Sequence, residues 1–175
     1  AAFEANLHGG LDSIFADNMQ LEFRGETLFN GNLAVFHPLK LDSLYILANC
    51  GQLYCDNTLL QDLLSQLGLT SIHLPAPVKN LGHLHYVGDI AGRLEDLQLH
   101  GRFRTALGAM RVNGNVQVDT TLQSIDFKGH LSTNQFQLGK LLEQDKLGNI
   151  IFDAHVDGKI DSTLFTFCRA NANIK

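Results

Sequence analysis

The strongest constraint on what this chain can fold into is an alternation of apolar and polar residues with a period of two. In the segment "NMQLEFRG" (residues 18–25), apolar side chains fall on odd positions and polar ones on even positions. This pattern predicts a β-strand with one buried and one solvated face. The alternation recurs in four later segments: "LQLHGRFRT" (97–105), "MRVNGNVQVDT" (110–120), "SIDFKGHLST" (124–133) and "NIIFDAHVDGKID" (149–161).

Turn signals such as "HGG", "FNGN", "NLGH" and "VDGK" separate such segments at intervals of roughly ten residues. Together with the one-sided strands, this spacing favours an antiparallel meander over a fold of alternating strands and long helices. We therefore predict an all-β, mainly antiparallel protein in which residues 1–175 form one β-rich unit.

One segment departs from the strand pattern and predicts a short amphipathic helix over about 57–67. A capping box is expected to begin at Thr58, and Gly68 is expected to follow the helix and let Leu69 fold back on Leu64. Four leucines carry the helical spacing: Leu60, Leu63, Leu64 and Leu67.

Two further pieces interrupt the strands. The proline-bearing "HLPAPVKN" (73–80) is predicted to be an extended connector between sub-blocks 1–75 and 80–175. A Leu-Leu stretch is too short for an independent helix and predicts a helical turn over about 138–144. Its apolar residues would plug or edge the buried side of the sheet: Phe136, Leu138, Leu141 and Leu142.

Glycines recur on the apolar side of the strands, at Gly101, Gly129 and Gly158. Because glycine weakens a strand, its place on the buried side needs a reason. Sheet curvature, close approach of a packed group, and β-bulges are all consistent with the pattern.

Composition excludes some classes of protein. Hydrophobic residues make up 45% and charged residues 18%, so the chain is not disordered. A net charge of -5 gives no support to nucleic-acid binding, which requires a basic face. Apolar runs are too short for a transmembrane helix, and "AAFEANLHGG" is unlike a signal peptide. We expect an excised or processed piece of a longer protein.

Candidate reactive residues are few. Cys50 and Cys55 could form a disulfide if the chain turns between them, although buried free thiols are the alternative, and Cys168 has no local partner. His83 and His85 would share one side of a strand, and with Asp89 they define a rival hypothesis, an enzyme acting on glycan. No nucleophile, zinc-protease or P-loop motif is present, and we predict neither enzymatic activity nor a cofactor.

The predicted helix is too small to cover the predicted sheet. A helix of about ten residues is roughly 15 Å long, whereas a sheet of about eight strands is roughly 40 Å wide. The remaining apolar face must meet a second sheet, the other wall of a curled sheet, or a bound apolar molecule. A closed, non-catalytic β-sandwich acting as a structural or interaction module is therefore the alternative to a ligand-binding groove.

Two stretches and the repeated strands ending in glycine carry a family resemblance: "IAGRLEDLQLHGRFRTALGAMRVNGNV" and "FKGHLSTNQFQLGKLLEQDKLGNIIFDAHVDG". Over residues 86–160 the chain resembles the AsmA-like/TamB family of Gram-negative envelope proteins, most closely its Bacteroidetes members, the translocation and assembly module subunits. The resemblance implies a β-taco, a curled sheet or half-barrel with an apolar interior. We expect the membrane anchor and the C-terminal region of that family to lie outside this sequence. The same resemblance implies that the rival hypotheses, the sandwich module and the glycan-acting enzyme, would also belong to the cell envelope.

The resemblance also implies a function. Lipid transport toward the outer membrane, or assistance to outer-membrane biogenesis and protein secretion beside a barrel partner, is expected in place of catalysis. The chain would be an internal periplasmic slice of a protein anchored in the inner membrane, and a barrel partner would bind through regions outside this sequence. Acyl chains would contact twelve lining residues: Leu97, Leu99, Phe103, Val112, Val116, Val118, Ile125, Phe127, Leu131, Ile150, Phe152 and Val156.

Overall fold

The protein is a single antiparallel sheet whose strands follow one another in chain order. The structure, a computed structural model, describes residues 2–23, 26–66, 69, 72, 74, 76–93, 95–119, 121–144, 148–161 and 164–174. The ten strands are β1 (Ala2–Gly9), β2 (Ser13–Phe23), β3 (Glu26–Phe36), β4 (Tyr45–Cys55), β5 (Leu84–Arg93), β6 (Asp96–Thr105), β7 (Gly108–Asp119), β8 (Ser124–Gln137), β9 (Asn149–Asp161) and β10 (Leu164–Ile174).

Each strand pairs with its neighbour in sequence, and the curled sheet is not closed into a barrel. The short helices are α1 (Asn57–Gln66), α2 (Ala76–Asn80) and α3 (Leu138–Leu141), with one 3₁₀ turn at Leu41–Ser43. The predicted all-β, mainly antiparallel class is confirmed, as are the helix near 57–67 and the helical turn near 138–144. Within the described ranges, no helix is long and apolar enough to cross a membrane.

The segment between β4 and β5 does not divide the sheet. β4 pairs directly with β5, from Tyr45 opposite Arg93 to Cys55 opposite Leu84. The two predicted sub-blocks, 1–75 and 80–175, therefore contribute strands to one continuous sheet.

The N-cap of helix α1 differs from the one predicted from the sequence, which was Thr58. Asp56 Oδ1 accepts hydrogen bonds from the backbone N–H groups of Thr58 (2.9 Å) and Leu59 (2.8 Å). Asp56, not Thr58, is thus the N-cap residue, because its carboxylate reaches two of the amides that have no partner inside the helix. At the other end, the N–H of Leu69 donates to the carbonyl of Leu64 (2.9 Å), as predicted, while Leu67 and Gly68 lie outside the described residues.

The prediction of an extended connector at 73–80 is wrong in its second half, where α2 forms. Pro77 lies in the first turn of α2, and a proline there removes no hydrogen bond because those N–H groups have no partner within the helix. His73 and Pro75 lie outside the described residues.

The Leu-Leu turn lies between β8 and β9 and contacts the segment between β4 and β5. Phe136 is buried, whereas Leu142 is exposed. Helix α3 contacts both α2 and β9, and the Asn80 amide donates to the Leu141 carbonyl (3.1 Å). The predicted turn therefore joins the β8–β9 connection to the segment between β4 and β5.

Candidate functional site

The strand register gathers the apolar residues of alternate positions onto one face, which we call the inner face. Val112 lies opposite Leu131, and Val116 opposite Phe127. The same phase continues through the neighbouring strands, so all twelve predicted lining residues share the inner face. The opposite face, which we call the outer face, carries mostly polar side chains from β5 to β9.

Glycines on the inner face allow aromatic rings and the backbone of the neighbouring strand to approach closely, which is one of the explanations that the sequence pattern left open. A Cβ atom at Gly101 would lie 2.3 Å from the carbonyl oxygen of Val87 and 2.9 Å from the ring of Tyr86. At Gly129 it would lie 3.1 Å from the ring of Phe127. The pairing is regular at these glycines, so they are not bulges. Aromatic rings instead cover the bare backbone, as they do for strand glycines generally.

A central cluster on the inner face extends from β2 to β8, well beyond the predicted lining. Its buried members are Phe29, Ala48, Cys50, Tyr86 and Val112. Partly buried residues pack against them: Met19, Leu21, Leu33, Ile46, Leu53, Leu84, Ile90, Phe103, Phe127 and Leu131. Sequence reasoning missed the contribution of β2 to β5 because the family resemblance was confined to 86–160. The alternation in "NMQLEFRG" was the signal that could have found it.

The segment between β4 and β5 covers part of the inner face. We call its described residues, namely 57–66, 69, 72, 74 and 76–80, the cover segment. Leu69 and Ile72 are 0% and 1% exposed, and Leu64 and Leu74 are also buried. They pack with residues of β7, β8 and β9: Val116, Val118, Ile125 and Ile160.

Three predicted lining residues, Val116, Val118 and Ile125, therefore contact the cover segment. The cover segment is joined internally as well: the Gln61 amide donates to the Ile72 carbonyl (2.9 Å), and the Asn57 amide to the Lys79 carbonyl (3.0 Å). The part of the inner face over β7 to β9 is thus occupied by the chain itself.

The inner face is uncovered at its other side, on β1 and β2. Phe3 is 55% exposed, Leu7 is 59% exposed, and Ile14 is 43% exposed. Phe3 lies opposite Leu21, and Leu21 packs against the buried residues of the central cluster. The exposed side chains are therefore continuous with the central cluster.

Three weak acids on or beside the inner face hold their protons tightly. Burial, and then the negative charge of Asp89, raises the pKa of the Cys50 thiol to about 11. Burial, and then Asp56, raises the pKa of Cys55 to about 11. Burial raises the pKa of Tyr86 to about 12, and its hydroxyl donates to the Asp89 carbonyl (2.7 Å). Each shift has the direction expected when the charged form loses hydration.

Both described cysteines, Cys50 and Cys55, are free thiols. They belong to the same extended strand, β4, five residues apart, which corresponds to roughly 16 Å along the chain. A disulfide requires Cα atoms less than about 7 Å apart, so the pairing considered from the sequence does not occur in this fold. The side chain of Cys168 is not among those described.

The residues of the enzyme hypothesis do not converge. The His83 and His85 rings are 5.4 Å apart, beside Tyr54 on the outer face. Asp89 is four residues further along β5, roughly 13 Å away, and accepts a hydrogen bond from the Asn49 amide (2.7 Å). Among the described side chains, no group of three or more His, Cys, Asp or Glu residues could hold a metal ion.

These features define a class of protein: an open, curled antiparallel sheet whose apolar inner face is partly covered by a segment of its own chain. Beyond that class, the chain matches no family model, no curated protein and no solved structure.

Proposed function

We propose that the inner face is a trough for lipid acyl chains and that the protein is a segment of a lipid-transfer conduit. One observation carries this proposal: apolar side chains run without interruption from the central cluster to Phe3, Leu7 and Ile14, where the open sheet leaves them uncovered. Each methylene removed from water there would contribute about 0.8 kcal/mol. Because these contacts are non-directional, acyl chains could slide along the trough.

The resemblance to the AsmA-like/TamB family supports the same proposal. It suggests a periplasmic location, transfer of phospholipid toward the outer membrane, and a barrel partner bound by other parts of a longer protein. The cover segment limits where lipid enters: the uncovered side on β1 and β2 offers free apolar surface, whereas the region over Val118 is filled.

The test is mass spectrometry of lipids that co-purify with periplasmically expressed protein after gentle extraction. Leu7→Asp places a charge on the uncovered inner face and is expected to reduce bound lipid roughly tenfold, because a carboxylate is costly to bury among acyl chains. Leu47→Asp is the matched control, since Leu47 is 41% exposed on the outer face. Wild-type protein free of lipid, or equal loss in both variants, would refute the trough.

A packed structural module is the second candidate, and complete burial of Leu69 and Ile72 is the observation that favours it. Phe127→Asp separates the two functions, because Phe127 packs at the centre of the inner face against the glycines of β7 and β8. A conduit is expected to stay folded, at reduced stability because Phe127 packs against the central cluster, and to lose lipid on this substitution. A module whose inner face is sealed is expected to unfold, as circular dichroism would show.

A further inference from the structure

Three arginines lie together on the outer face, away from the trough. Arg102 of β6 is directly opposite Arg111 of β7, and Arg104 lies two residues beyond Arg102, opposite His85 and Ala109. All three arginine side chains are exposed. Like charges directly opposite each other on neighbouring strands repel, so this pair costs the fold stability unless something neutralises it.

Arg102 and Arg111 have no ion-pair partner in the part of the chain that the structure describes. Among the described residues, no carboxylate forms an ion pair with Arg102 or Arg111; the ion pairs join His8 to Asp17, Arg93 to Glu95, His130 to Asp153, and Lys159 to Asp126. The residues flanking the pair in the same row are Val87 and Ser132, both uncharged.

A concave space of about 640 Å³ lies beside the pair. Its lining includes Arg102 and Arg111, but not Arg104. It also includes five neutral polar residues of β8: Ser132, Thr133, Asn134, Gln135 and Gln137. Hydroxyl and amide groups can donate hydrogen bonds to an anion that the arginines attract, and none of the described lining residues carries a carboxylate.

A bulge in β8 builds this lining. Ser132 pairs with Arg111 and Gln135 pairs with Ala109, so two residues of β8 oppose one residue of β7 between these pairs. The Thr133 hydroxyl fixes the bulge by donating to the Ala109 carbonyl (2.6 Å), while the N–H of Gln135 donates to the Thr133 oxygen (3.2 Å). Bulges redirect side chains beside binding sites, and here Asn134 and Gln135 are exposed at the rim of the space.

We propose that this arginine site binds a phosphate group, carried either by a lipid head group or by a small soluble phosphate ester. The planar fork of a guanidinium matches the oxygens of phosphate, and two such forks on adjacent strands can hold one tetrahedral anion from two sides. The proposal goes beyond the acyl-chain trough, because Arg102 and Arg111, which carry it, lie on the outer face of the sheet and are not among the twelve lining residues.

Two probes test the site and distinguish a soluble phosphate from a lipid head group. Binding of inorganic phosphate is followed by the ³¹P NMR line width at low ionic strength. Binding to phosphatidylcholine vesicles that contain phosphatidylglycerol is followed by sedimentation. The variant Arg102→Gln/Arg111→Gln is expected to bind at least one probe about tenfold more weakly than wild type. Lys128→Gln/Lys159→Gln makes the same change in charge on the outer face of β8 and β9 and is the control. Added salt should weaken wild-type binding, since the arginines are exposed.

Binding of inorganic phosphate alone assigns the site to soluble esters, and binding of the anionic vesicles assigns it to lipid head groups; both results support the proposal. Failure of wild type to bind either probe, or equal weakening in the arginine and lysine variants, overturns it. Urea unfolding keeps the test valid, because the arginine variant relieves repulsion and should be at least as stable as wild type. Retention of co-purified lipid by that variant would show that the trough and this site are separate.

Discussion

At the scale of single residues, inner-face glycines determine how closely neighbouring strands approach. Gly101 and Gly88 lie opposite each other, and the ring of Tyr86 lies over the backbone that they leave bare. Tyr86 is 1% exposed, and its hydroxyl reaches the Asp89 carbonyl of the same strand. The glycine and the aromatic residue are therefore complementary parts of one packing arrangement.

Gly101→Ala should accordingly destabilise the protein by about 1–3 kcal/mol, because the added Cβ would lie 2.3 Å from the Val87 carbonyl oxygen and the strands would have to separate. Urea unfolding followed by circular dichroism measures the change. Gly10→Ala is the control: nothing lies within 4 Å of its Cβ position, and its effect should stay within about 0.5 kcal/mol. Equal stability of the two variants would contradict this packing.

At the scale of secondary-structure elements, α1 and the residues after it act as one unit. The Leu69 N–H donates to the Leu64 carbonyl, and both side chains are buried with Ile72 against the same strands. The short helix therefore gains its stability from the sheet, as helices of about ten residues generally must.

Asp56→Ala should destabilise the protein by about 1 kcal/mol, because the two amides at the start of α1 lose their carboxylate acceptor. Thr58→Ala, the position at which the sequence predicted a capping box, should change stability by less than about 0.5 kcal/mol. Denaturant titrations of both variants at one pH test this order. A larger loss in Thr58→Ala would restore the capping box inferred from the sequence.

The sequence predicted the elements that have a regular period and missed those that depend on tertiary contacts. Alternation was sufficient for the strands, and leucine spacing was sufficient for α1. The return of Leu69 onto Leu64 was predicted, but Ile72 and Leu74 belong neither to the strand alternation nor to the leucine spacing of α1, so their burial follows from the shape of the inner face and not from local pattern. For the same reason the predicted lining included Val118, although the cover segment packs on Val118 and leaves no room there for a ligand.

At the scale of the whole molecule, the curled sheet joins its strands through one shared apolar face. Cys50 and Tyr86 belong to the central cluster, which draws residues from β2 through β8. Ionising either group would place a charge in that cluster, and because the strands share the cluster, the free energy of unfolding of the whole sheet would decrease. Global stability should therefore respond to the protonation of a few inner-face residues.

The sign of that response follows from the pKa values. Folding raises the pKa of Cys50 and Cys55 from 9.0 to about 11 and that of Tyr86 from 10.0 to about 12. The folded state thus holds these protons more tightly, so the contribution of these three groups to the free energy of unfolding should be fully present below pH 9 and be lost as the pH rises toward 11–12.

Urea midpoints measured from pH 7 to pH 11 test this whole-molecule dependence. Cys50→Ala/Cys55→Ala should shift the fall to higher pH, because Tyr86 alone among the three then remains and its unfolded pKa is 10.0. The comparison uses the change in midpoint with pH within each protein, so the packing lost with the Cys50 thiol does not affect it. A midpoint that is flat to pH 11 in wild type would mean that water reaches these groups in the folded sheet. An unchanged profile in the double variant would assign the fall to other groups.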